Sequence, residues 1–194
     1  MIELMLGLVL FIGPHSVRIV ADEWRSHTRE RIGASRYKLI YGLVSWVGFV
    51  LMIWGYGQAR MDSSVLWVAP KGLYHATAGL MLISMILLIG FHFRRSAISV
   101  KVHHPMLWSV VVLCAAHLLV NGRVADLVLF GSLGAWAALD LISCYWRDVR
   151  DGATYPQATV KATALNVVLG IVFYGVFAFF LHQPLIGVRP MFGG

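Results

Sequence analysis

Six histidines, His15, His75, His92, His104, His117 and His182, lie in or at the ends of long apolar runs in a 194-residue chain of which only 13% is charged. An ionisable ring in hydrocarbon is costly unless it faces a cavity, a partner or a cofactor, so these positions are where chemistry is to be sought. Neutral imidazole is also the commonest metal ligand in proteins. Two of the six stand in unusual local sequence. His15 belongs to Gly13-Pro14-His15-Ser16-Val17-Arg18, and on a helix Arg18 is its neighbour one turn further on. A planar guanidinium beside a metal-ligating ring suits the carboxylates of a porphyrin; the plainer reading is that Arg18 reaches to lipid headgroups. His117 and Asn121 are four residues apart and share a face, so Asn121 or a carbonyl near it is expected to orient the imidazole.

The other candidates carry less. His92, before Phe93-Arg94-Arg95, and His182 read as interfacial residues, and His103 as part of a solvated loop. His75 either lines the same cavity as the ligands or is a hydrogen-bonded core residue. Asp140 costs roughly 2.5 to 3.5 kcal/mol at the centre of a span on insertion scales, so it must pair, and Arg18 or His104 is the expected partner. Cys114 and Cys144 are far apart with no C-x-x-C, which excludes a disulfide framework and covalent c-type haem attachment. No Walker loop, dinucleotide fingerprint, H-E-x-x-H or G-x-S-x-G occurs. The tryptophans read as belt and packing residues.

The elements that position these residues are membrane helices. With 59% hydrophobic residues and a mean hydropathy of +0.75, the chain is not an ordinary soluble domain. Six continuously apolar runs cover about Met1 to Val20, Tyr37 to Gly57, Gly72 to Phe93, Pro105 to Val120, Val124 to Tyr145 and Val160 to Leu181. Continuous rather than alternating apolarity predicts an all-α polytopic fold and excludes a barrel. The first run carries Glu3, has no basic residues ahead of it and no small-residue cleavage site behind it, so it reads as a retained span. Residues 1–194 are read as one transmembrane domain, with no room for a separate soluble one.

Basic residues set the orientation. Twelve fall on one side, in the segments around Arg18 to Lys38, Arg94 to Lys101 and Arg147 to Lys161, and four on the other: Arg60, Lys71, Arg123 and Arg189. The positive-inside rule puts the richer side in the cytoplasm and both termini in the periplasm. Spread over short loops at a lipid surface, these charges account for the net charge of +7 without nucleic acid.

The fourth and fifth runs form the most distinctive unit. His104-Pro105 opens a helix, since proline suits the first helical position, and Asn121-Gly122-Arg123 ends it after sixteen apolar residues, short for a full crossing. Val124-Ala125-Asp126 then starts the next helix at once, so the turn is expected inside the protein.

The pieces Gly13 to Arg18, His104-Pro105-Met106-Leu107-Trp108, Ala116-His117-Leu118-Leu119-Val120-Asn121-Gly122 and Leu129-Phe130-Gly131 through Ala135-Trp136 resemble the NnrU family of bacterial membrane proteins, related to the 15-cis-zeta-carotene isomerases of plants and cyanobacteria. The resemblance covers nearly the whole chain. In the isomerase branch it implies a noncovalent b-type haem held by a histidine of the first span and the histidine before the polar turn, here His15 and His117 as metal ligands, with Arg18 and Asn121 as cofactor-binding neighbours. It also implies a redox-gated haem enzyme that acts on a lipophilic, carotenoid-like substrate by cis-trans isomerisation in the bacterial inner membrane. The family name itself points to nitrite and nitric oxide reduction, and a non-catalytic membrane factor supporting that process is the alternative.

Depth along the helices complicates the pair. His15 lies toward the cytoplasmic end of its span and His117 four residues before the outer turn. Either the hairpin turns near mid-membrane, or depth matches His15 with His92 or His104, and His117 with His75 or His182. An isoprenylcysteine-type methyltransferase, suggested by the histidine-proline at a helix start, lacks its cofactor segment between Trp146 and Tyr155. A transporter lacks duplicated halves.

Overall fold

The computed structural model describes residues 1–188 and 190. All six apolar runs are helices: α1 (Ile2–Val20), α3 (Ala34–Asp62), α4 (Gly72–Gly90), α6 (Pro105–Val120), α7 (Val124–Asp151) and α8 (Val160–Ile186). Five are long and apolar enough to cross a membrane. The exception is α6, whose 16 residues rise about 24 Å. Two short helices at the basic end, α2 (Asp22–Ile32) and α5 (Ala97–Val102), complete the set. Among the described residues there is no strand, only an isolated bridge between Val65 and Arg123. The chain is an all-α polytopic membrane protein.

The five long helices and α6 form a row of neighbours, α8, α4, α6, α7, α1, α3, in which each packs mainly on the next, and the start of α7 also meets α3. Without a hydrophobic drive between helices in lipid, small residues let backbones approach closely. Between α1 and α3 this role falls to Gly7, Gly48 and Gly55: a Cβ on Gly48 would lie 2.6 Å from the Phe11 amide nitrogen. Leu4, Leu8, Met52, Cys114, Leu129 and Phe130 fill the core where α1, α3 and α6 meet on α7.

The α6–α7 turn, expected inside the protein, is only partly covered: Gly122 is buried and Arg123 is exposed. The α3–α4 connection supplies that cover: the Leu66 amide donates to the Gly122 carbonyl (2.7 Å) and the Val124 amide to that of Ser64 (3.0 Å). Gly122 is buried, and any Cβ there would run into the Trp67 carbonyl. The helices are not uniform. Leu127–Gly131 in α7 and Phe177–Leu181 in α8 are π-helical segments, a feature that in other proteins often marks a functional site.

Candidate functional site

His15 follows a proline inside α1. Pro14 has no amide hydrogen to close the helix onto Leu10, and the next two side chains bond carbonyls of the preceding turn. The His15 Nδ1–H donates to the Phe11 carbonyl at 2.6 Å, and the Ser16 hydroxyl to that of Ile12 at 2.8 Å. Since a carbonyl only accepts, the proton sits on Nδ1 and the lone pair on Nε2. Three rings surround the imidazole: Phe11 stacked at 4.4 Å, Tyr41 tilted at 5.0 Å and Trp136 edge-on at 5.5 Å. Among the described residues the buried indole nitrogen of Trp136 has no hydrogen-bond partner.

His117 repeats the pattern on α6. Its Nδ1–H donates to the Leu113 carbonyl at 2.9 Å, which again leaves Nε2 unprotonated. The ring stacks on Phe130 at 4.5 Å, inside the π segment of α7, and Tyr56 of α3 meets Phe130 edge-on at 6.0 Å. Below this stack Asp126 is 4% exposed, a carboxylate that must be paired. The Tyr56 hydroxyl (2.6 Å) and the Arg123 amide (2.8 Å) both donate to it. The Nδ1–H of His182 on α8 donates to the Val188 carbonyl at 2.8 Å.

Both imidazoles therefore flank α7, His117 at Phe130 and His15 at Trp136. Six residues of helix separate those two rings, about 9 Å of rise, so the difference in depth expected from the sequence persists.

The remaining predicted residues are placed differently from expectation. Asn121 does not touch the imidazole: its backbone and side-chain nitrogens both donate to the His117 carbonyl (2.8 and 3.0 Å), closing the last turn of α6. The ring is oriented by Leu113 instead. Arg18 points to Asp22 at a loose 3.9 Å with half its side chain exposed. Asp140 pairs with neither Arg18 nor His104 but with Arg147, two turns along the same helix, at 3.4 Å. Arg147 also donates to Ser143 and Cys144, so one guanidinium satisfies a polar stripe on α7. His75 and His92 are exposed on α4 and just beyond it.

Two groups escaped the sequence reading. One is Asp126 with Tyr56; an acid three residues into a helix that follows a polar turn is a start signal, and only the fold shows that it is buried. The other lies at the basic end, where His104 reaches Asp148 at 2.7 Å and His103, expected in a solvated loop, stacks on Tyr155 at 3.8 Å.

Among the described residues no three His, Cys, Asp or Glu side chains converge as a metal cage requires. One metal held by both imidazoles would have to bring its remaining ligands, and the offset of about 9 Å along α7 between Phe130 and Trp136 would have to close. A family model described as NnrU protein matches residues 3–190. No curated protein and no solved structure matches the chain.

Proposed function

The chain belongs to the NnrU protein family, and on that premise we propose that it holds a noncovalent b-type haem through His15 and His117 and isomerises a lipophilic, carotenoid-like polyene under redox control. One observation carries this reading: the two histidines singled out by the resemblance have the same arrangement, Nδ1–H on the carbonyl four residues back and Nε2 free. That backbone bond fixes the tautomer and aims the ring, as the outer partners of metal-bound histidines do. When bound, the haem supplies an iron whose oxidation state and coordination gate a reactive centre in an apolar site.

The chain's own residues supply the rest. Phe11, Tyr41 and Trp136 pack around His15 and limit water at its ring. The unpartnered Trp136 N–H offers a hydrogen bond to a polar atom brought by the ligand. Arg18, only loosely engaged by Asp22, is free to meet a propionate, and Asn121 holds the end of α6 that presents His117. We place the basic end in the cytoplasm and both termini in the periplasm, in a bacterial inner membrane.

The test is a pair of spectra from protein purified in detergent after haem-replete expression, oxidised and then reduced. The wild type is expected to show a Soret band and, on reduction, sharp visible bands. His15→Ala and His117→Ala each lose or alter them, whereas His27→Ala, exposed on α2, leaves them unchanged. Purified holoprotein should then change the double-bond geometry of a cis-carotene in liposomes only when reduced. Haem without isomerisation removes the enzyme reading; no haem at all leaves the non-catalytic factor of nitrite and nitric oxide reduction as the function.

A further inference from the structure

The basic end of the bundle holds a polar cluster that the haem reading does not use. His104 precedes the first residue of α6, and its Nε2 lies 2.7 Å from Asp148 Oδ2 on α7. The same carboxylate oxygen accepts from the Tyr155 hydroxyl, in the segment between α7 and α8. Partial burial and that hydrogen bond hold the Tyr155 phenol above its usual pKa, so it remains a donor. With Asp148 accepting twice, Nε2 carries the proton and Nδ1 the lone pair. No side chain or carbonyl among the described residues bonds that Nδ1. His104 and Asp148 keep 22% and 24% of their side-chain surface exposed, so the pair is reachable.

The backbone beside this pair is strained. His103 has φ 62° and ψ −52°, and the His104 amide donates to the Val102 carbonyl at 2.7 Å. That is a γ-turn of positive φ, rare for any residue with a side chain. Strain of this kind persists where the surroundings over-determine it, and it clusters at functional sites. Here His103 lies flat on Tyr155, with 11° between the rings. The Tyr145 hydroxyl donates to the Val102 carbonyl and accepts from the Trp108 indole, each at 2.8 Å. The turn is thus pinned from three sides, and it fixes where His104 points.

We propose that His104, oriented by Asp148 and Tyr155, forms a second site that binds the head group of a membrane-soluble phenol or hydroquinone and exchanges a proton with it. An imidazole held on a carboxylate is a positioned general base. In the transfer the ligand's O–H bond breaks and an N–H bond forms at Nδ1. The resulting imidazolium lies between the phenolate and Asp148, which stays ionised, and the reverse transfer restores both partners. Acidity selects the ligand class: a phenolic hydroxyl ionises near a pKa of about 10, within reach of imidazole, and an aliphatic alcohol does not. Position selects it further, because a site at the polar end of apolar helices suits an amphiphile whose ring meets Trp108, Tyr145 and His103. The titratable groups facing His104 are Asp148, Tyr145, Tyr155 and His103.

The experiment uses the full-length protein in nanodiscs under argon and a decyl-chain benzohydroquinone as probe. Its binding is read as protection of His104 from carbethoxylation by diethyl pyrocarbonate, resolved by peptide mass spectrometry. His104 is expected to be protected and exposed His27 not. His104→Gln keeps an N–H for Asp148 but has no base, and its displacement of bound tritiated probe should be too weak to measure. Asp148→Asn, a positioning change, should weaken binding about ten- to a hundredfold and Asp148→Glu, which restores the carboxylate, should recover it; a merely structural role would lower stability and leave the affinity of the folded fraction alone. Equal protection of His104 and His27, or wild-type affinity in His104→Gln, overturns the proposal. Because no arm reads haem, the result stands apart from the fate of the haem reading.

Discussion

Replacing Gly48 by alanine puts one methyl group where α1 and α3 are closest. The new Cβ would stand 2.6 Å from the Phe11 nitrogen and 2.7 Å from the Leu10 carbonyl carbon. Ordinary contact begins at 3.4 Å, so the helices must part by close to 1 Å. Backbone cannot swing aside as a flexible side chain does, and overpacking of this kind costs about 1 to 3 kcal/mol. For a chain of this length that lowers Tm by about 2 to 12 °C. The displaced residue is also the one that holds His15 through its carbonyl and its ring, so His15 must shift with it. Gly42→Ala, on the same helix with open space around it, is the control; it should be neutral or stabilising by up to about 1 kcal/mol. Circular dichroism melts in one detergent give both numbers. Equal melting of the two variants would refute the close α1–α3 approach and with it the placement of His15.

Further outcomes follow from other contacts. Tyr56→Phe removes a donor from buried Asp126 and should cost about 1.5 to 3 kcal/mol in thermal or denaturant unfolding; no loss would mean that Asp126 is solvated. Asp140→Asn and Arg147→Gln should each destabilise, and a double-mutant cycle should give a coupling of about 0.5 to 3 kcal/mol, whereas additivity would dissolve the pair. Reporters fused after Phe93 and after Arg150 should read cytoplasmic and one after Gly194 periplasmic; the opposite pattern would invert the orientation. Cysteine labelling of the α6–α7 turn should be placed at exposed Arg123, where the impermeant reagent reacts from outside, because no side chain fits at Gly122.

Apolar run length was enough to find every spanning helix, because in a bilayer the backbone has no alternative to internal pairing. The shortness of α6 was legible for a related reason: Asn121-Gly122-Arg123 leaves too few apolar residues before it. Side-chain pairing was not legible. Asp140 finds Arg147 on its own helix because a long guanidinium reaches back two turns, while a count of loop charges assigns Arg147 to the surface. Asn121 shares a face with His117 and yet bonds its backbone, since spacing fixes a face and not a rotamer. The γ-turn at His103 has no sequence signal, because no glycine marks its positive φ. The π segment that brings Phe130 under His117 is equally silent: Leu127–Gly131 reads like any stretch of apolar helix.

The most direct test of the paired imidazoles is low-temperature electron paramagnetic resonance of the ferric protein. Six-coordinate ligation by His15 and His117 predicts a low-spin signal in the wild type. His15→Gly and His117→Gly should each convert it to high spin, and added imidazole should restore low spin in both, since each leaves a cavity the size of the missing ring. A low-spin signal that survives His15→Gly and is lost on substitution of His117 and His182 would contradict the pair, and would place the iron between the histidines near the C-terminal ends of α6 and α8.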